Sequence, residues 1–137
     1  MAEIFLVTLD IPMEEPMNEK IIYFDDQKTS LEALAMFLEC KGFVVDKRLT
    51  FSMTPAQAWD IVHNEKPDAV IIDVNWDVSD LGNQHGLILG RMLGKKPPAL
   101  IISSIDYSEA ASAWSLKFSR KDPKDILTAL QEILSQN

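Results

Sequence analysis

The chain has 137 residues, 47% of them hydrophobic, with a formal net charge of -8 and a single cysteine. That length suits one domain with one core, and the hydrophobic share argues against wholesale disorder. The acidic balance argues against a nucleic-acid partner, because a phosphate backbone needs a basic face. A lone cysteine excludes an intrachain disulfide.

Residues 1–9 contain Glu3, lack a basic section and are followed by Asp10 and Pro12, unlike a secretory signal. No apolar run reaches membrane-spanning length, so no membrane association is expected and a cytoplasmic location is the default. Ile4-Phe5-Leu6-Val7-Thr8-Leu9 has strand composition and reads as an edge strand or an arm that docks on a second copy in a homodimer, with a loose tail as the lesser alternative. Residues 10–20, with Pro12 and Pro16 among charged residues, read as a linker.

From residue 21 the punctuation becomes regular. Ile21-Ile22-Tyr23-Phe24 is a short apolar run, as expected of a strand buried on both faces of a parallel sheet, and it stops at Asp25-Asp26. Thr29 and Glu32 have the spacing of a capping box, ahead of a helical stripe of Leu31, Leu34, Ala35 and Leu38 that Gly42 ends. Cys40, in the same run, reads as a small buried hydrophobe. Phe43-Val44-Val45 with its charged continuation is the edge-strand candidate.

Thr54-Pro55-Ala56-Gln57 is a strong helix start: threonine caps, proline takes the first helical position and glutamine reaches back. Ala58, Ile61 and Val62 share a face, and Pro67 closes the unit. Ala69-Val70-Ile71-Ile72 is a central strand ending at Asp73. A helix is expected over 87–93, bounded by Gly86 and Gly94. Leu100-Ile101-Ile102 leads into Ser103-Ser104, residues 107–114 allow a short helix, and 116–118 a last strand. Asp122-Pro123, with Asp125 completing a box, opens a helix whose core stripe includes Ile126, Leu130 and Ile133. Strand and helix alternate throughout, which favours a parallel sheet covered on both faces.

In such a sheet, functional groups gather beyond the carboxyl ends of the strands. Those ends carry Asp25 with Asp26, Asp73, Ser103 with Ser104, and Arg120 with Lys121. Each alone has a bland reading: a turn, a helix approach or a solvated lysine. Together they suit a hard divalent cation, Mg²⁺ above all, which relieves the repulsion among carboxylates. Asp73 could then act as a nucleophile towards a phosphoryl donor, with Lys121 and Ser103 facing the transferred charge.

At these residues the sequence resembles the receiver domains of two-component response regulators. The resemblance rests on Tyr23-Phe24-Asp25-Asp26, on Lys66-Pro67-Asp68-Ala69-Val70-Ile71-Ile72-Asp73, on Leu100-Ile101-Ile102-Ser103, and on Phe118 lying three residues before Lys121. It implies a flavodoxin-like doubly wound α/β fold, a five-stranded parallel sheet of order 2-1-3-4-5, with residues 1–20 as an N-terminal extension and 21–137 as the receiver domain. Asp73 would accept a phosphoryl group from a histidine kinase or phosphotransfer protein. Asp25, Asp26, Asp73 and the main-chain carbonyl of Asn75 would hold Mg²⁺, Ser103 and Lys121 would bind the phosphoryl group, and Phe118 would be the switch aromatic. Signalling would pass to a downstream protein target through protein-protein contacts, with no external substrate turned over.

Three departures accompany the resemblance. The loop from Val74 to Gly86 is longer than the family's and carries Trp76, Asp77, Asp80 and His85, the last read as a surface loop histidine. The stretch between Ser103 and Lys121 is short for a full fourth helix. Lys121 is followed by Asp122 rather than proline, and an alternative alignment would place Ser119 at the lysine position. The expected function is therefore a stand-alone phosphorylated receiver. The alternatives are a receiver-like protein-binding module that works without phosphorylation and, more remotely, a small Mg²⁺-dependent phosphohydrolase.

Overall fold

A computed structural model describes residues 18–80 and 82–136; the expected strand or arm at residues 4–9 lies outside them. Ten elements follow in strict alternation: β1 Lys20–Asp25, α1 Lys28–Cys40, β2 Val44–Leu49, α2 Pro55–Glu65, β3 Ala69–Asp73, α3 His85–Leu93, β4 Ala99–Ser103, α4 Ser108–Ala113, β5 Lys117–Arg120 and α5 Pro123–Ser135. The five strands form one sheet of order β2-β1-β3-β4-β5, parallel at every pairing. This is the doubly wound architecture and strand order expected.

Burial follows position in the sheet. β3 and β4 are buried along their whole length and β1 everywhere but Lys20, which is why they read as unbroken apolar runs. The edge strands β2 and β5 mix exposed and buried positions. Alternate residues of the central strands feed two cores. Ile21, Tyr23, Ile71 and Leu100 pack with the stripes of α1 and α5, and Ile22, Phe24, Ile72 and Ile101 pack with α2, α3 and α4.

Local signals were honoured unevenly. The Thr54 box forms in full, with the Gln57 N–H donating to the Thr54 hydroxyl at 3.2 Å and the Gln57 side chain accepting from the Thr54 N–H at 2.9 Å. Asp122 caps α5 by accepting from the Asp125 N–H at 3.2 Å, while the Asp125 carboxylate pairs with Arg120. Thr29 and Glu32 do not form a box. α1 starts two residues earlier than a Thr29 cap would give, with Gln27 as its cap and no side-chain cap bond, so Thr29 falls inside the first turn and not at the cap position. Cys40 is exposed, not buried: it lies two residues past Leu38, about 200° around the helix from the core stripe.

The connection from β3 to α3 governs the site. Gly86 falls within the first turn of α3 rather than before it, and its N–H donates to the Val74 carbonyl at 3.0 Å. A Cβ on Gly86 would stand 2.0 Å from the Asp73 carbonyl oxygen, so only glycine lets the helix sit on the end of β3. Gly86→Ala is expected to lower the melting temperature by several degrees, in line with overpacking costs of about 1–3 kcal/mol. A thermal melt checks this, and an unchanged melting temperature would refute the close approach.

Candidate functional site

The parallel register brings the strand ends level. Phe24 pairs with Ile72, so Asp25 and Asp73 lie side by side one residue further on; Asp73 pairs with Ile102 and Ser103 with Arg120. The Lys121 N–H then donates to the Ser103 carbonyl at 3.0 Å. Because β1 and β3 are neighbours while β2 lies outside β1, the direction in which successive strands are added across the sheet reverses between β1 and β3. That is where an open α/β sheet leaves a crevice. A cleft of about 480 Å³ opens there, lined among others by Asp26, Asp73, Asn75, Ser103, Tyr107 and Lys121.

Asp25, Asp26 and Asp73 each offer a carboxylate oxygen within 4.8 Å of the others. Lys121 reaches in from just past the end of β5, its Nζ 2.8 Å from Asp25 Oδ2 and 3.5 Å from Asp73 Oδ1. This geometry favours Lys121 over Ser119 as the lysine of the site: the Ser119 hydroxyl donates instead to the Arg120 carbonyl at 2.8 Å. Ser103 is buried on the cleft wall, its Oγ accepting the Ile105 N–H at 3.0 Å. Asn75 lies on the same rim, its side chain donating to the Asp80 carbonyl at 2.8 Å and accepting from the Asp77 N–H at 2.9 Å. Phe118 is half-buried and packs on the other face of the sheet, with the core under α2, α3 and α4.

The loop residues take up other work. Trp76 is 1% exposed, stacks on Phe24 and donates its indole N–H to the Asp73 carbonyl at 2.8 Å. It is a support beneath β3, not bulk over the cleft. His85 sits edge-on to Trp76 with Nδ1 3.4 Å from the Asn83 amide. It is the half-buried first residue of α3 and not the surface loop histidine expected, and it stands outside the acidic cluster.

Sequence reasoning missed Tyr23. Its hydroxyl donates to Asp25 Oδ2 inside the protein, and with burial and the Asp25 charge acting together its pKa is driven far above the ordinary phenol value. The signal was the two-residue period of a strand, which puts positions 23 and 25 on one face. Inside an apolar run the tyrosine reads simply as core.

Electrostatics define what the cluster can do. Three carboxylates against one ammonium leave two negative charges in a mostly buried space. Like charges about 4 Å apart repel by about 4 kcal/mol at an effective dielectric of about 20. Burial, then the Asp25 charge, push Asp73 up to about 8 despite the pull of Lys121. The same two causes raise Asp26. Burial alone would lower Lys121, but Asp73 and Asp25 outweigh it and hold the ammonium form. Asp26 Oδ2 is buried with no hydrogen-bond partner among the described residues. A doubly negative, oxygen-only donor set with an orphaned carboxylate oxygen fits a hard divalent cation such as Mg²⁺.

Because folding raises the Asp73 pKa, the folded state keeps a proton that the unfolded chain releases above about pH 4. The stability from that proton is complete below the unfolded value and is lost as pH rises through about 8. With a chelator present, the melting temperature should therefore fall between roughly pH 5 and pH 8.5, and Asp73→Asn should flatten the slope. A wild-type melting temperature that climbs across this window would contradict the assignment.

No family model and no curated protein matches the chain. Solved structures do. A two-component response regulator of the LuxR family from Aurantimonas sp. superposes with a TM-score of 0.72 at 18% identity, covering 88% of this chain and 87% of that one. A DNA-binding response regulator of the LuxR family from Staphylococcus aureus gives 0.70 at 15% identity, covering 85% and 98%. A chemotaxis response regulator of Vibrio cholerae gives 0.66 at 19% identity, covering 84% and 98%. With its strand order, its crevice and its acidic strand ends already in place, the chain has the fold of response-regulator receiver domains.

Proposed function

We propose that the protein is a receiver whose Asp73 accepts a phosphoryl group and which signals through contacts with other proteins. The observation that carries this reading is the convergence of Asp73, the orphaned oxygen of Asp26 and the Lys121 ammonium on one cleft. Asp25, Asp26, Asp73 and the main-chain carbonyl of Asn75 would hold Mg²⁺. When bound, the cation would screen the carboxylates and the incoming phosphoryl oxygens.

The chain's own residues do the rest. An Asp73 carboxylate oxygen forms the new P–O bond as the donor's P–N bond breaks, when a phosphorylated histidine is the donor, and the leaving imidazole regains a proton from water. Lys121, now shared between Asp25 and Asp73, would pair with the added phosphoryl oxygens, and the Ser103 hydroxyl would donate to them. Water attack on the acyl phosphate later returns the carboxylate and inorganic phosphate. On this account the partners are a histidine kinase or phosphotransfer protein and a downstream protein target, the setting is cytoplasmic, and Phe118 is the aromatic that responds. Among the described residues no helix is long and apolar enough to cross a membrane.

One observation favours the second reading, a protein-binding module that is not phosphorylated: Lys121 lies closer to Asp25 than to Asp73. Incubation with acetyl phosphate and Mg²⁺, followed by intact-mass measurement, separates the two. One added phosphoryl group is expected, absent in Asp73→Asn and in chelator, and formed about a hundredfold more slowly in Lys121→Ala. An unmodified wild-type mass would favour the binding module.

We also propose residues 1–20 as an extension to a 21–137 receiver domain, with residues 4–9 as a homodimer arm. Sedimentation should show a dimer for the full chain and a monomer without residues 1–19. Monomers in both cases would dismiss the arm.

A further inference from the structure

The two members of the acidic pair are in opposite conditions. Asp25 is fully buried and already supplied with donors by this chain. Its Oδ1 accepts the Gln27 N–H at 2.9 Å, while its Oδ2 accepts both the Tyr23 hydroxyl and, at 2.8 Å, the Lys121 ammonium. Asp26, next in sequence, has a buried Oδ2 with no hydrogen-bond partner among the described residues, and its carboxyl has that of Asp73 close by to share a proton with. One carboxylate is satisfied without a cation and the other is not.

Tyr23 has little freedom to do anything else. Its ring is completely buried in the core beneath α1 and α5, so the hydroxyl cannot turn out to bulk water, and a buried phenol needs an acceptor. Asp25, two residues on along the same face of β1, is that acceptor. A carboxylate that spreads its charge over three donors attracts a metal ion less than a bare one does. A cation at Asp25 would in turn withdraw charge from the tyrosine bond. The two interactions draw on the same oxygens, so each weakens the other by the same factor.

We propose that Tyr23 is a positioning residue that competes with the divalent cation for Asp25: it holds the cation-free arrangement together and sets how much Mg²⁺ is needed to fill the site. This rests on the cation site put forward under Proposed function. Of the ligands named above, Asp26, Asp73 and the Asn75 carbonyl then engage first, and Asp25 completes the set as the Tyr23 bond weakens.

The test is calorimetric titration of Mg²⁺ into the full chain and into Tyr23→Phe, which keeps the ring and removes only the hydroxyl. The variant should bind Mg²⁺ about tenfold more tightly or better, the scale of a lost hydrogen bond to a charged group. It should melt lower than wild type in chelator, with the gap narrowing at saturating Mg²⁺. A merely structural role would weaken binding, not tighten it, so unchanged or weaker affinity in folded Tyr23→Phe overturns the proposal. Absence of saturable binding in both proteins removes the cation site itself, and this inference with it. Should the variant not fold, fluorine NMR on wild type carrying fluorotyrosine serves instead. The chain has two tyrosines, and Tyr107→Phe assigns the signals. A Tyr23 signal that shifts with the Mg²⁺ midpoint supports the proposal, and one that stays fixed overturns it.

Discussion

Three carboxylates gathered at the end of one parallel sheet repel one another, and the fold tolerates them because a half-buried ammonium and a buried phenol meet them in the same space. Lys121 crosses from just past the end of β5 to reach Asp25 and Asp73, and the Tyr23 hydroxyl meets Asp25 from below. These contacts link β1, β3 and β5, strands that do not all pair directly. They leave the carboxylates incompletely compensated, and burial first, then the Asp25 charge, push Asp26 and Asp73 towards their neutral forms. The cluster is thus poised between protonation and the arrival of a positive partner, and that tension is its chemical content.

The β3–α3 connection is shaped to keep Asp73 in place. Below β3, Trp76 fills the core against Phe24 and bonds to the Asp73 main chain. Above, the first turn of α3 presses onto the same carbonyl at Gly86. Asn83 pins the loop between them, accepting N–H bonds from Trp76 at 3.3 Å and His85 at 3.0 Å. What looks in sequence like unusual bulk beside the site is a brace under it. On the other flank α4 is only six residues long, and the Arg91 guanidinium of α3 lies over the ring of Trp114, just past the end of α4, at 3.6 Å. The face between α3 and β5 therefore differs from one built on a long helix.

Much of the site was legible because its residues close apolar runs. A polar side chain immediately after a buried strand has few places to go, and in a parallel sheet several such ends come together. Asp25, Asp26, Asp73 and Ser103 met that rule, Lys121 was marked instead by its spacing from Phe118, and the structure places all five around one cleft or directly behind it. Tyr23 did not meet the rule, since a tyrosine among isoleucines reads as packing; only the distance between its hydroxyl and Asp25 gives it a second role. Cys40 and Thr29 failed for a related reason. Helical phase turned Cys40 away from the core stripe, and a helix that begins at Lys28 puts Thr29 inside its first turn and not at the cap.

The sequence by itself determined the alternation of elements, the central and edge character of the strands and the acidic ends of β1 and β3. Those features rest on local periodicity, capping and burial, which neighbouring residues encode. Which carboxylate would be satisfied and which left bare was decided only by the tertiary structure. That outcome depends on how far a lysine just past the last strand reaches across the sheet and on a tyrosine hydroxyl two positions back. Both are distances between atoms remote in the chain or hidden in its packing, and no local pattern carries them.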